Sequence, residues 1–134
     1  MPGEEQRYIK TFPISWEQLY RDSRALAWRL LDMQQWQGIV ATTKGGLVPA
    51  SIIARELEIR LVDTVCISSC DFKDQGNITI LKSVDTDGNG WLLIDDLVDT
   101  GQTARIATDM LPKAHFATVY AKPEGRPLVD TFVT

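Results

Sequence analysis

Three carboxylates and two hydroxyls crowd one short stretch, Asp95-Asp96-Leu97-Val98-Asp99-Thr100-Gly101-Gln102-Thr103. It follows the apolar run Trp91-Leu92-Leu93-Ile94 and opens a helical pattern that Pro112 stops. Successive backbone N–H groups at a helix start, with small hydroxyl side chains beside them, form a nest for a phosphate. Gly101 lets the backbone approach that anion closely. Asp95, Asp96 and Asp99 would repel a bare phosphate. Ribose hydroxyls, which donate hydrogen bonds, and a hard Mg²⁺ ion answer their charge. The constellation therefore asks for a sugar phosphate that carries a divalent cation. A plain N-cap needs one acid and one threonine. Three acids with Thr-Gly-x-Thr exceed that need.

A second glycine turn, Thr43-Lys44-Gly45-Gly46, ends the β-branched run Gly38-Ile39-Val40-Ala41-Thr42. Neither turn is a Walker loop, because the G-x₄-G-K-[ST] spacing is absent. Gly45-Gly46 also lacks the G-x-G-x-x-G arrangement of a dinucleotide fingerprint.

The elements that must carry these turns follow from periodicity. Trp16, Leu19, Tyr20, Leu26, Ala27, Leu30 and Leu31 recur at helical spacing, and Ser15 with Gln18 reads as a capping box. The stripe is read as core packing. Pro49 sits near the start of a helical pattern over Leu47 to Leu57, where its missing N–H costs least. Strands are predicted at Gly38–Thr42, Leu61–Ser68, Trp91–Ile94 and Phe116–Ala121, with a short one at Ile78–Val84 and a last one over Leu128–Val133. Residues 70–90 read as a mobile loop and turn region. Strands alternating with helices predict one α/β domain over residues 1–134, with a mainly parallel sheet flanked by helices. Ligands of such sheets bind at the carboxyl ends of strands, where both glycine turns lie.

Composition narrows the classes. The chain has 134 residues, enough for one domain with a real core. It is 44% apolar and 24% charged with a net charge of −4, and has no basic block to grip nucleic acid. There is no secretory h-region in Met1 to Lys10 and no run long enough to span a membrane. Cys66 and Cys70 are spaced C-x₃-C, with His115 far away, so they read as free thiols in a reduced cytoplasm rather than as metal ligands. Asp85-Thr86-Asp87-Gly88-Asn89-Gly90 mimics a calcium loop, but β-rich flanks replace the helices an EF-hand needs. A turn between strands explains the same residues.

The stretch Leu92 to Thr103 resembles the diphosphoribosyl-binding motif of type I phosphoribosyltransferases. Lys44-Gly45-Gly46-Leu47-Val48-Pro49, Ala54 to Ser69, Pro112 to Phe116 and Ala121-Lys122-Pro123-Glu124-Gly125-Arg126-Pro127-Leu128-Val129-Asp130 extend the resemblance to bacterial members of that family that salvage purines. It covers nearly everything from Tyr8 onward. The resemblance implies transfer of the 5-phosphoribosyl group of phosphoribosyl pyrophosphate to guanine, xanthine or hypoxanthine, giving the nucleoside monophosphate and pyrophosphate. Asp95 and Asp96 would hold the ribose hydroxyls, with Asp96 also tied to Mg²⁺. Asp99 would assist proton handling beside purine N7. Asp99, Thr100, Gly101, Gln102 and Thr103 would hold the 5′-phosphate, and Lys44 and Gly45 would meet the pyrophosphate. Lys122 would donate to the purine 6-oxo group; taken alone it reads as a solvated surface lysine. The resemblance further implies a cytoplasmic homotetramer. Bacterial relatives associate peripherally with the inner membrane, but no amphipathic or lipidated segment here argues for it.

Four positions depart from the family pattern. Lys44 stands where arginine is usual, which keeps the charge and loses the bidentate fork. Gln102 replaces a common second glycine. Gly76-Asn77 falls where relatives carry an arginine that reaches the pyrophosphate, leaving Lys73 or Lys82 to reach instead. The family also continues past the position of Thr134 with a segment that closes over the purine. Either the chain continues beyond the residues given or the base site is open.

Two other readings share the fold. One is a non-catalytic regulator that senses phosphoribosyl pyrophosphate or nucleotides; the acidic balance and single-domain length argue against it. The other is an enzyme using adenine, orotate or uracil, and Ala121-Lys122-Pro123 discriminates against adenine.

Overall fold

Strands buried on both faces need apolar side chains pointing both ways, and three strands here have them. In the computed structural model, which describes residues 14–69 and 78–134, these are β1 (Gly38–Thr43), β4 (Trp91–Val98) and β5 (His115–Ala121). They lie side by side at the centre of a six-stranded sheet. The other strands are β2 (Val62–Ser69), β3 (Ile78–Lys82) and β6 (Thr131–Phe132). The order is β3-β2-β1-β4-β5-β6. β3 runs antiparallel to β2, and every other neighbouring pair is parallel.

The two-residue period of a strand sorts these side chains into two cores. Ile39, Ala41, Leu92 and Ile94 face helices α1 (Trp16–Leu31) and α2 (Leu47–Leu57), meeting Leu26, Leu30 and Ile53. Val40, Leu93 and Phe116 face the other way, toward Ala104, Ala107 and Leu111 in and after helix α3 (Gln102–Met110). Each fully buried aliphatic or aromatic side chain contributes about 1.5–3 kcal/mol relative to exposure. The central sheet is thus a rigid platform for whatever its carboxyl ends carry.

Several sequence expectations change in the tertiary structure. Helix α1 is capped as expected, with Ser15 Oγ accepting from Gln18 N–H at 3.1 Å. Its apolar stripe is only partly core, because Trp16 is 75% and Tyr20 53% exposed and Leu31 is exposed too. The helix meets the sheet through Ser23, Leu26, Ala27 and Leu30. Tyr20 and Leu31 lie on its flank, and Trp16 overhangs an open cavity. Strand β4 does not stop at Ile94. It runs on to Val98 because β5 continues the ladder, pairing Asp95 with Thr118, Leu97 with Tyr120 and Val98 with Ala121. Backbone pairing takes no account of side-chain charge, so two carboxylates end up inside a strand. The expected last strand over Leu128–Val133 is instead a short 3₁₀ turn, Arg126–Leu128, followed by β6 at Thr131–Phe132.

Of the region expected to be a mobile loop and turn, residues 70–77, with Lys73, Gly76 and Asn77, lie outside the described residues. Strand β3 follows, and then the Asp85–Gly90 turn. In that turn Asp87 Oδ1 accepts from Asn89 N–H at 3.0 Å, and Thr86 Oγ1 accepts from Gly88 N–H at 3.1 Å. β3 and β4 flank it, but they are not sheet neighbours, so the turn links distant strands rather than closing a hairpin.

The turn after β1 is tightly packed against the central sheet. Gly46 N–H donates to the Thr42 carbonyl at 2.7 Å. A Cβ on Gly46 would strike the Ile94 carbonyl oxygen and would lie 2.8 Å from that of Thr42. Both are backbone atoms of the central sheet, which cannot yield cheaply. Gly46→Ala should therefore destabilise the protein by about 2 kcal/mol or more, read as a lowered midpoint in thermal or urea unfolding.

Candidate functional site

The carboxyl ends of β1, β4 and β5 bring the sequence-singled residues together from three turns. After β1 come Lys44 and Gly45, both exposed. Within the last turn of β4 lie Asp95 and Asp96, and beyond it Asp99, Thr100 and Gly101 lead into α3 at Gln102 and Thr103. Just past β5 comes Lys122. Gly45, Asp95, Asp96 and the run Asp99 to Thr103 line one cleft of ≈ 420 Å³, with Thr43 beside them. Lys44 lines a second cavity of ≈ 420 Å³, formed with Ile14, Trp16, Val48 and Tyr120; Gly45 and Asp96 border both. Lys122 lies outside both linings and reaches Asp99, with Nζ 3.6 Å from Oδ1.

The expected phosphate nest is an open helix start. Gly101 caps α3 at φ +98°, with no side chain bonded to the helix start. That backbone angle suits glycine, and a Cβ there would lie 2.6 Å from Leu128 Cδ1. The first N–H groups of α3 therefore face the cleft with the positive end of the helix dipole. Thr103 is half-buried and Thr100 exposed at the same mouth.

The paired acids are electrostatically strained. Asp95 Oδ1 accepts from Asp96 N–H at 2.8 Å. The Thr42 hydroxyl, 3.3 Å from the Ile94 carbonyl, also bonds the Asp95 carboxylate. Burial and, after it, the neighbouring Asp96 charge push Asp95 well above the usual carboxylate range, and these hydrogen bonds only partly offset the rise. Gly45 lies against both acids: a Cβ on it would sit 2.5 Å from Asp96 Oδ1 and 3.0 Å from Asp95 Oδ1. The bare backbone leaves that space to whatever the acids bind.

The Lys122 end of the site is built by a loop that sequence reasoning assigned no structural part. Lys122 N–H donates to the Val98 carbonyl at 2.9 Å, which extends the β4–β5 pairing to the site. A Cβ on Gly125 would strike Val98 Cγ1 and lie 2.9 Å from the Asp99 carbonyl. Arg126 Nε donates to the Ala121 carbonyl at 3.0 Å. Lys122 is not a freely solvated lysine: its side chain is 29% exposed, against 64% for Asp99. Thr42, Gly125 and Tyr120 are further site-forming residues. Gly125 had a local signal, a glycine two residues after Pro123, while Thr42 and Tyr120 looked like ordinary strand positions.

One lysine considered for the pyrophosphate side is placed elsewhere. Lys82 Nζ lies 2.9 Å from Asp63 Oδ1 and 2.7 Å from the Thr64 carbonyl. These residues open β2, at the end of the sheet opposite the site.

Among the described residues no group of three or more His, Cys, Asp or Glu side chains could hold a metal ion by itself. A cation here would rest on Asp96, or Asp96 with Asp95, and complete its shell with water and substrate oxygens. Mg²⁺ binds in that way, so the donor set fits it. No helix among the described residues is long and apolar enough to cross a membrane.

An α/β sheet with a cleft of paired acids and an uncapped helix start across its carboxyl ends defines a class, and comparison with known proteins places the chain within it. The family model described as phosphoribosyl transferase domain matches residues 15–134. The xanthine-guanine phosphoribosyltransferase of Desulfotalea psychrophila is 67% identical over 129 residues, covering 96% of this chain and 81% of that protein. Its counterpart from Chromohalobacter salexigens is 62% identical over 128 residues, covering 96% and 78%. Among solved structures, a purine phosphoribosyltransferase from Pyrococcus horikoshii superposes with a TM-score of 0.77 at 23% identity, covering 90% of this chain and 84% of that one, a likeness of fold. The chain belongs to the phosphoribosyltransferase family.

The raised Asp95 has a consequence for stability. The folded state holds this proton more tightly than the unfolded chain, whose carboxyl titrates near 3.8. Stability without ligand should fall as pH rises from there through the folded value. Asp95→Asn keeps an acceptor for Asp96 N–H and removes the charge. It should raise the neutral-pH thermal midpoint of the ligand-free protein and flatten its fall with pH, measured by calorimetry from acidic to neutral pH.

Proposed function

We propose that the protein transfers the 5-phosphoribosyl group from phosphoribosyl pyrophosphate to guanine, xanthine or hypoxanthine. The observation that carries this reading is the Asp99–Lys122 pair, 3.6 Å apart at the ends of neighbouring strands and beside the uncapped start of α3. In this reading the pair offers a carboxylate and an ammonium to a purine beside the sugar. The relatives at 62–67% identity are named for xanthine and guanine, which supports two of these bases.

In this reading the N–H groups and hydroxyls of Asp99 to Thr103 hold the 5′-phosphate. Asp95 and Asp96 accept from the ribose hydroxyls. Lys44 and the Gly45 backbone meet the pyrophosphate. Bound Mg²⁺, resting on Asp96, supplies charge neutralisation for the pyrophosphate oxygens. As the bond from C1 to pyrophosphate stretches, C1 gains positive character. Catalysis then consists of stabilising the leaving anion and holding the base in line. Asp99 beside N7 takes part in removing the base's proton. Lys122 donates to the 6-oxo oxygen that guanine, xanthine and hypoxanthine share. Adenine offers an amino donor there and would leave the half-buried ammonium unpaired, a mismatch that costs affinity. A cytoplasmic homotetramer is proposed with the function, on the same family resemblance.

The test is spectrophotometric: protein, phosphoribosyl pyrophosphate and Mg²⁺ with each base in turn. Nucleotide should form from the three 6-oxopurines and not from adenine, and chelation of Mg²⁺ should abolish it. Product from adenine alone overturns the 6-oxo assignment. Tight binding of phosphoribosyl pyrophosphate without turnover on any base favours a sensor instead. Asp99→Asn should lower kcat by about 100-fold while leaving the Kd for phosphoribosyl pyrophosphate within about threefold; equal losses in both would reduce Asp99 to a binding residue.

A further inference from the structure

The sheet carries a buried tyrosine whose hydroxyl reaches out of the strand layer to a helix. Tyr120 sits at the carboxyl end of β5, opposite Leu97 of β4 and two residues before Lys122. It is 2% exposed. Its hydroxyl donates to Asp22 Oδ2 of α1 at 2.8 Å, joining residues 98 positions apart. The Asp22 side chain is itself only 14% exposed, and Arg21 Nε lies 3.4 Å from its other oxygen. Burial, and after it the Asp22 carboxylate, push the Tyr120 phenol well above its ordinary range. The proton therefore stays on tyrosine, and the bond keeps its donor.

The bond joins two walls of one cavity. Ile14, Ser15, Trp16 and Leu19 form the α1 side of the space that Lys44, Gly45, Asp96 and Tyr120 border from the sheet side. Apart from this bond, the first half of α1 is held by Leu19, with Ile14 just before the helix, both only partly buried against the core, while Trp16 and Tyr20 are mostly exposed. The second half is anchored by Leu26, Ala27 and Leu30 in the core and by Arg24, whose Nε lies 2.6 Å from Glu56 Oε1 of α2.

We infer that Asp22 and Tyr120 are a positioning pair, which fixes the first half of α1 as the wall facing Lys44 and Asp96 and so shapes the pyrophosphate side of the site. Asp22 acts through Tyr120, and neither is assigned contact with the reacting atoms. That the cavity serves the pyrophosphate side rests on the function proposed above; that the pair holds the helix does not.

Two measurements on the full chain test it. In hydrogen exchange, Tyr120→Phe keeps the ring and removes the donor. It should speed exchange of the Leu19–Arg24 amides about tenfold, with the Leu26–Leu31 amides unchanged. Asp22→Ala should do the same, whereas Asp22→Asn, which keeps an acceptor, should stay close to the parent. In steady-state assays, Tyr120→Phe should raise the KM for phosphoribosyl pyrophosphate about fivefold with kcat within about twofold. A loss of folded protein alone would lower apparent kcat and leave KM untouched. Adding Asp22→Ala to Tyr120→Phe should cost little more, as expected of partners in one bond. Unchanged exchange in Tyr120→Phe overturns the inference, as does an unchanged KM in an active enzyme. If the parent protein shows no turnover, the proposed function falls, and the exchange result still decides whether the pair holds α1.

Discussion

Two adjacent carboxylates at the end of a buried strand govern this structure. Asp95 and Asp96 continue β4 beyond its apolar run, where pairing with β5 secures the backbone and nothing secures the charge. Like charges in a poorly hydrated place repel, and Asp95 carries the cost as a carboxyl that gives up its proton less readily than usual. The neighbouring elements are arranged around that cost. Thr42 and the Asp96 N–H bond to the Asp95 carboxylate, and Gly45 brings backbone rather than a side chain against both acids. The site is unstable alone and suited to a ligand that brings donors and positive charge, a common trade of stability for activity.

The same economy of space joins the start of α3 to the loop after β5. Gly101 packs on Leu128, and Gly125 packs on Val98 and the Asp99 carbonyl. Lys122 N–H continues the strand ladder to Val98. The loop that starts α3 and the loop that follows β5 are thus interlocked through positions where a Cβ would not fit. This interlocking sets the 3.6 Å between Asp99 and Lys122, residues held by two different strands. A carboxylate and an ammonium kept at that separation set a proton acceptor beside a donor.

Much of this was legible in the residues. The run Asp95 to Thr103 asked for a sugar phosphate with a cation because its charges and hydroxyls are contiguous, so local spacing preserves their meaning. Gly45-Gly46 and Gly101 were legible for a similar reason, as turns are local. Features that depend on distant partners were not. The apolar stripe of α1 could not tell that Trp16 would overhang a cavity rather than fill the core. Lys82 looked free to reach a phosphate, yet it closes on Asp63 and the Thr64 carbonyl at the far end of the sheet. The bond between Asp22 and Tyr120 links two positions that share no local pattern.

By itself, then, the sequence determined the class of fold, through strands alternating with helices, and the chemical character of the site, through one contiguous motif. Tertiary structure decided how far β4 extends, which lysines face the site, how close Gly45 comes to the acids and what holds the first half of α1. The division has a physical cause. Charge, hydroxyls and turn geometry act over a few residues and are written along the chain. Desolvation and close packing depend on which surfaces the sheet brings together, and those surfaces exist only once the chain has folded.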